Sequence, residues 1–174
     1  SISGGLHKAF VEAEYLGVDT FQMCTKNQRQ WKPRSFSKNE VEAFQLAKQH
    51  SGILRIVSHA SYLVNPASPN EDLWHRSVDE LVDEVNRCHS LGLEGVVVHP
   101  GFHRGTTEAD GIQRIRRALR SVIKATAQTQ VKVLLENMAG QGSVLGWRFE
   151  QLGTIIEGFP CCRVGVCLDL CHAF

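Results

Sequence analysis

The stretch EDLWHRSVDELVDEVNRCHSLGLEGVVVHP, Glu71 to Pro100, decides the fold class. Glu71 to Leu91 reads as a long amphipathic helix, Gly92 stops it, and Gly95 to Val98 is a short β-branched strand that delivers His99 at its end. A helix feeding directly into such a strand is half of a parallel strand-helix-strand crossover. The same unit recurs on both sides. Upstream, Gly5 to Leu16 is expected to be helical and to close at Gly17, followed by a strand at Thr20 to Met23. Ser37 then caps a helix reaching about His50, with Glu40 completing a capping box, and Leu54 to Ser58 forms a strand. Downstream come a helix from Thr107 to Gln128, with Arg116, Arg120 and Lys124 on one exposed face, and a strand at Lys132 to Leu135. A short helix from Arg148 to Glu157, ended by Gly158, and a last strand at Val164 to Leu168 complete the chain. No linker or low-complexity stretch divides it, so residues 1–174 read as a single α/β domain of about five parallel strands with intervening helices. Such a sheet needs cover on both faces, either as an open doubly wound sheet or as a closed eight-stranded barrel. In both, ligands gather at the carboxyl ends of the strands.

Composition narrows the class without choosing a function. The 174 residues are 43% apolar and 21% charged, as in an ordinary globular protein, and no apolar run is long enough for a spanning helix. Nothing at the start has the pattern of a signal peptide, although a chain beginning at Ser1 could have lost a leader. A net charge of +1 excludes strong attraction of nucleic acid by the surface as a whole, leaving local patches or bound cations to supply it. Of six cysteines, four crowd into Cys161, Cys162, Cys167 and Cys171, which is not a disulfide framework and argues for reduced thiols inside a cell. The C-x3-C spacing of Cys167 and Cys171 lacks a second pair, so packing explains it better than zinc.

The strand ends carry the chemistry. His59 follows the second strand, His99 the third, Glu136 the fourth, and Asp169 with His172 the fifth. Each alone has a plain reading, as a hydrogen-bonded turn histidine or a carboxylate near a helix N-terminus. Parallel topology, however, brings these ends to one rim, where two carboxylates and several imidazoles are best reconciled by a metal cation. Imidazole and carboxylate donors without a thiolate pair suit zinc or manganese at a hydrolytic site, with a coordination position left for water. A bridging carboxylate would hold a second metal about 3.5 to 4 Å away, as in phosphate-ester hydrolysis. Two loops on that rim fit this picture. Between Thr20 and Asn39 there is no acidic residue, while Lys26, Arg29, Lys32, Arg34 and Lys38 surround Trp31, a basic strip suited to phosphates or to plain solvation. NMAGQGS after Glu136 has glycines that let backbone approach a ligand, or simply flex.

Five stretches, TKNQRQW (Thr25 to Trp31), SYL (Ser61 to Leu63), HPG (His99 to Gly101), ENMAGQGS (Glu136 to Ser143) and VGVCLDLCHAF (Val164 to Phe174), occur in order along the chain. On these the sequence resembles the endonuclease IV family, metal-dependent apurinic/apyrimidinic endonucleases built on a TIM (β/α)8 barrel. The resemblance implies a phosphoric diester hydrolase of base excision repair with three zinc ions, cutting double-stranded DNA 5′ to an abasic site to leave a 3′-hydroxyl and a 5′-deoxyribose phosphate. By position it implies His59, His99 and Glu136 at one zinc, Glu136 bridging to a second with Asp169, His172 as a ligand of the third, and Glu136 as the catalytic carboxylate. Arg29, Tyr62 and Leu63 fall where the family inserts side chains into kinked DNA.

A complete barrel has eight strands in about 250 residues, so the resemblance also implies an incomplete barrel. Its first strand would be cut at Ser1 and its last two strands, with further ligands, would be absent. The isolated chain is then expected to be inactive, and the complete protein a monomer. Its expected compartment is the cytoplasm in a bacterium, or the nucleus or mitochondrion in a eukaryote. Two other readings remain open: a metal-dependent sugar isomerase or epimerase of similar barrel architecture, and a catalytically dead binder of damaged DNA.

Overall fold

A computed structural model of the protein describes residues 4–173. Its elements are α1 (Lys8–Leu16), β1 (Thr20–Met23), α2 (Lys38–Ser51), β2 (Arg55–His59), α3 (Glu71–Leu91), β3 (Gly95–Val98), α4 (Glu108–Ala125), β4 (Lys132–Glu136), α5 (Phe149–Ile156) and β5 (Val164–Cys167). All strands pair in parallel in the order β1-β2-β3-β4-β5. The order never reverses. Right-handed crossovers that always step in one direction place every helix on the same face, which is the wall of a barrel and not a doubly wound sheet with a switch point.

Local chemistry sets the helix ends. Asn70 caps α3 by accepting from the Leu73 N–H at 2.8 Å, and Gly92 closes it in the left-handed region at φ 68°. Trp74, Val78, Leu81, Val85, Cys88 and Leu91 form its buried stripe. Ser37 and Glu40 make the expected capping box on α2, and Thr107 and Asp110 make another on α4. Three helical features differ from expectation. Helix α1 starts at Lys8 because Gly4 and Gly5 take φ values of 85° and 127°, outside any right-handed helix. Helix α4 stops at Ala125: the Thr126 hydroxyl donates back to Val122 O at 2.8 Å, and Arg163 Nη2 donates to both Thr126 O and Thr126 Oγ1. Arg116, expected on an exposed face with Arg120 and Lys124, is half-buried and donates to the Thr154 and Ile155 carbonyls at the end of α5.

Period-two alternation then decides where the site can be. Ile56, Val96, Val98, Val133, Leu135 and Val164 join the core formed with Leu81, Val85, Ile115, Leu119 and Ile155 of the helices. Ser58, of the same parity as Ile56, lies with its Oγ 2.9 Å from Cys88 Sγ on α3. The opposite parity, which includes His59, Val97, His99 and Glu136, therefore faces the other side of the sheet, the barrel interior. Pairing in β2 and β4 runs one residue past the expected ends, so His59 and Glu136 are themselves the last strand residues. Among the described residues no helix is long and apolar enough to cross a membrane.

Candidate metal centre

Glu136 sits at the middle of the interior rim, 5% exposed, with its two oxygens turned to different neighbours. Oε2 lies 3.0 Å from His59 Nε2 and 3.3 Å from His99 Nε2, while Oε1 lies 3.2 Å from His172 Nδ1. Asp169 Oδ2 is 3.7 Å from the same His172 nitrogen. Two groups result, His59 with His99 and Glu136, and Glu136 with Asp169 and His172, the ligand-type atoms of each lying within 4.8 Å of one another. All five residues expected at the strand ends are thus brought together, and Glu136 belongs to both groups.

The electrostatics follow from this arrangement. Burial pulls the His59 imidazole down, but its hydrogen bonds to Glu136 and to Ala60 O, with the Glu136 charge, outweigh that and leave it raised. Burial pushes Glu136 up, yet hydrogen bonds with His59, His99 and Asp169 hold it well below the usual carboxylate range. Three imidazoles and two carboxylates, with no thiolate among them, are a donor set that fits a divalent ion such as zinc or manganese. His59 Nδ1, 2.7 Å from Ala60 O, is placed to donate there, which leaves the Nε2 lone pair toward Glu136 and any shared ion. Cys167, half-buried opposite Glu136 in the ladder, has its thiol pushed up by burial and by the charges of Glu136 and Asp169, and it joins neither group.

The flanking loops divide into anchors and exposed side chains. Tyr62 is 68% exposed, with its ring centroid 5.5 Å from that of His59 and 5.8 Å from that of His99; Leu63 beside it is half-buried and Arg29 is exposed. Gln28 joins the Arg29 loop to the centre, donating from Nε2 to His59 O at 3.1 Å, while Ser61 Oγ donates to Gln28 O at 2.7 Å. The basic strip is not a strip. Lys26 is buried against Glu80 at 2.6 Å, Arg34 is paired with Glu40, and Lys38 lies 3.5 Å from Glu42, so only Arg29 and Lys32 carry no ion pair among the described residues. Thr25 donates to Glu84 at 2.9 Å, and Arg87 reaches the Thr25 hydroxyl, Thr25 O and Arg34 O. Thr25 and Lys26, the start of TKNQRQW, are therefore the loop's attachment to α3. Glu80, Glu84 and Arg87 were the available signal, since charged residues spaced four and three apart fall on one face of a helix.

In the glycine-rich loop, Gly140 takes φ 86° against the Trp147 ring and Gly142 takes φ 60° in open space. The loop packs on the β3–α4 connection through the Phe102–Val144 bridge and the Leu145 N–H to Gly101 O bond of 2.8 Å. Asn137, which the sequence did not single out, bonds to both Asp169 and His172.

A family model described as a xylose isomerase-like TIM barrel matches residues 10–174. The chain belongs to this family. Within it, the expected likeness to endonuclease IV extends over the full chain: a protein of Chloroflexus aggregans named probable endonuclease 4 is 41% identical over 175 residues, covering 100% of this chain and 61% of that protein. The crystal structure of endonuclease IV from Thermus thermophilus superposes with a TM-score of 0.85 at 38% identity, covering 98% of this chain and 60% of that one. A D-tagatose 3-epimerase-like protein superposes with a TM-score of 0.78 at 22% identity, over 99% of this chain and 64% of that one, a likeness of fold. This TIM-barrel chain spans about three fifths of the length of the curated relatives it matches.

Proposed function

We propose that the protein is a zinc-dependent apurinic/apyrimidinic endonuclease of base excision repair, hydrolysing the phosphodiester 5′ to an abasic site in double-stranded DNA to leave a 3′-hydroxyl and a 5′-deoxyribose phosphate. The observation that carries this reading is the shared carboxylate of Glu136, which divides its oxygens between two groups of metal-type donors at the carboxyl ends of the strands. The 41% identity to a protein named probable endonuclease 4 supports DNA as the substrate.

On this reading His59, His99 and Glu136 hold one zinc, Glu136 and Asp169 share a second, and His172 serves a third in the complete protein. The ions would supply Lewis acidity toward a phosphate oxygen and a water of lowered pKa. The chain's own residues do the rest. Glu136 keeps its charge through its bonds with His59, His99 and Asp169, and His59 keeps its tautomer through Ala60 O. Tyr62 stands beside the centre and, with Leu63 next to it in the chain, would wedge into the duplex, and Arg29 would reach the backbone from a loop tied to His59 through Gln28. The complete protein acts as a monomer, and six free cysteines suit a reducing compartment, the cytoplasm in a bacterium or the nucleus or mitochondrion in a eukaryote.

Full-length protein given a duplex with one tetrahydrofuran abasic analogue should nick it 5′ to the lesion, lose that activity on chelation and regain it with Zn2+. Absence of any nick at the analogue overturns the proposal. Tyr62→Ala and Arg29→Ala separate it from sugar isomerisation, because an isomerase would keep its turnover without them.

A further inference from the structure

We infer that Asn137 is the positioning residue for Asp169 and His172, and that without it the metal positions these two serve fail while the His59–His99–Glu136 position survives. This rests on the metal reading above. Strand β4 ends at Glu136 and β5 at Cys167, and one more backbone rung follows, from Asn137 N–H to Cys167 O at 3.2 Å. Beyond that rung the strands no longer pair. The Asn137 side chain continues the ladder: its Oδ1 accepts from the Asp169 N–H at 2.6 Å and its Nδ2 donates to Asp169 O at 2.9 Å. A primary amide has one acceptor and one donor side at this spacing, so it reproduces both halves of a peptide pairing.

The consequences run outward from that clamp. With its backbone fixed, Asp169 uses Oδ1 to accept from the Cys171 N–H at 2.6 Å and the His172 N–H at 3.1 Å, which turns the chain and returns His172 to the centre. Its other oxygen, Oδ2, remains toward His172 Nδ1. The main-chain carbonyl of Asn137 meets that same Nδ1 at 2.9 Å and so fixes the ring, and a proton held there leaves Nε2, not the Nδ1 that faces Glu136 and Asp169, with the lone pair. One residue therefore sets the backbone of Asp169, and through it the turn, as well as the ring of His172. Among the described residues nothing equivalent links Asn137 to the first group, where His59 is held by Ala60 O and Gln28. The Asn137 amide is 3% exposed, and its two bonds to Asp169 account for both of its ends.

Co2+ titration of the metal-free, full-length protein tests this directly, since its d–d absorption distinguishes sites of different geometry. His59→Ala and His172→Ala first assign the absorption of each group. Asn137→Ala should then weaken the class lost in His172→Ala by roughly 10- to 100-fold, and leave the class lost in His59→Ala within about 2-fold. A cooperative urea transition in metal-free Asn137→Ala shows that this variant is folded and guards against a simple folding failure. Equal weakening of both classes would mean that Asn137 supports the fold generally, and unchanged binding would mean that the clamp does not position ligands; either overturns the inference alone. Failure of the wild-type protein to bind Co2+ at all removes the metal reading itself, and this inference with it.

Discussion

Replacing Lys26 with methionine removes the cation from a site that has almost no water. Lys26 Nζ lies 2.6 Å from Glu80, 3.7 Å from Asp83 and 3.9 Å from Glu84, and the Lys26, Glu80 and Glu84 side chains are 2%, 1% and 0% exposed. Removing one partner of such a buried pair costs about 3–5 kcal/mol, because the remaining charge is left without compensation. Burial already pushes the Glu80 and Glu84 carboxyls up, with Lys26 pulling against it. A carboxyl whose folded pKa is raised holds its proton more tightly in the native state, so its ionisation lowers stability as pH rises from the unfolded value toward the folded one. Taking Lys26 away raises both further. The loss in Lys26→Met should therefore be larger at pH 8 than at pH 5. Urea unfolding of both proteins at the two pH values measures this. Lys26→Met with Glu80→Leu should recover most of the loss, since two matched apolar side chains need no counter-charge. A loss below about 1 kcal/mol that is the same at both pH values would refute the buried-pair account.

Gly101→Ala should destabilise the protein by about 2 kcal/mol or more, read as a fall in the unfolding midpoint, because φ is 97° and a Cβ would run into Asn65 Oδ1. That Asn65 oxygen accepts from the Phe102 N–H at 2.8 Å, so the loop beyond His99 would shift with it. In chelator, Glu136→Gln should remove a stability contribution with a defined pH window. The lowered Glu136 contributes above its unfolded value of 4.5 and is lost as pH falls through its folded one, whereas the raised His59 contributes below 6.5 and is lost as pH rises through its folded value. The wild-type advantage should thus be greatest between these limits, and a difference that is flat from pH 4 to pH 9 would contradict it.

The strands and helices were legible because each signal was local: Gly92 after the α3 stripe, the Ser37 capping box, and the β-branched run of β3 act within a few residues. The five centre residues were legible for a different reason, since parallel strands bring their ends together whatever the loops do. What escaped the sequence depends on contacts across long separations. Lys26 looked like part of a solvated basic strip until Glu80, 54 positions away, supplied its partner. Asn137 looked like the start of a flexible loop until Asp169 stood opposite it. Helix α4 ended early because of Arg163, which lies beyond two further elements. Charged positions on one face of a helix, as at Glu80, Glu84 and Arg87, announce that partners exist but not which distant residues supply them.

The buried Lys26 also bears on how DNA affinity would respond to salt. Each phosphate neutralised by a free cation contributes about 0.9 to the slope of log K against log salt on duplex DNA. A cation buried against its own carboxylate is not available to a phosphate, whereas an exposed surface pair costs little to exchange. Of the five in the Lys26–Lys38 segment, Lys26 is buried against Glu80 while Arg34 and Lys38 sit in exposed pairs, so if the complete protein binds duplex DNA as proposed this loop would add at most roughly 3.6 to the slope, where its formal charge suggests about 4.5. One of the loop's five formal charges would thus anchor the loop and not hold the duplex.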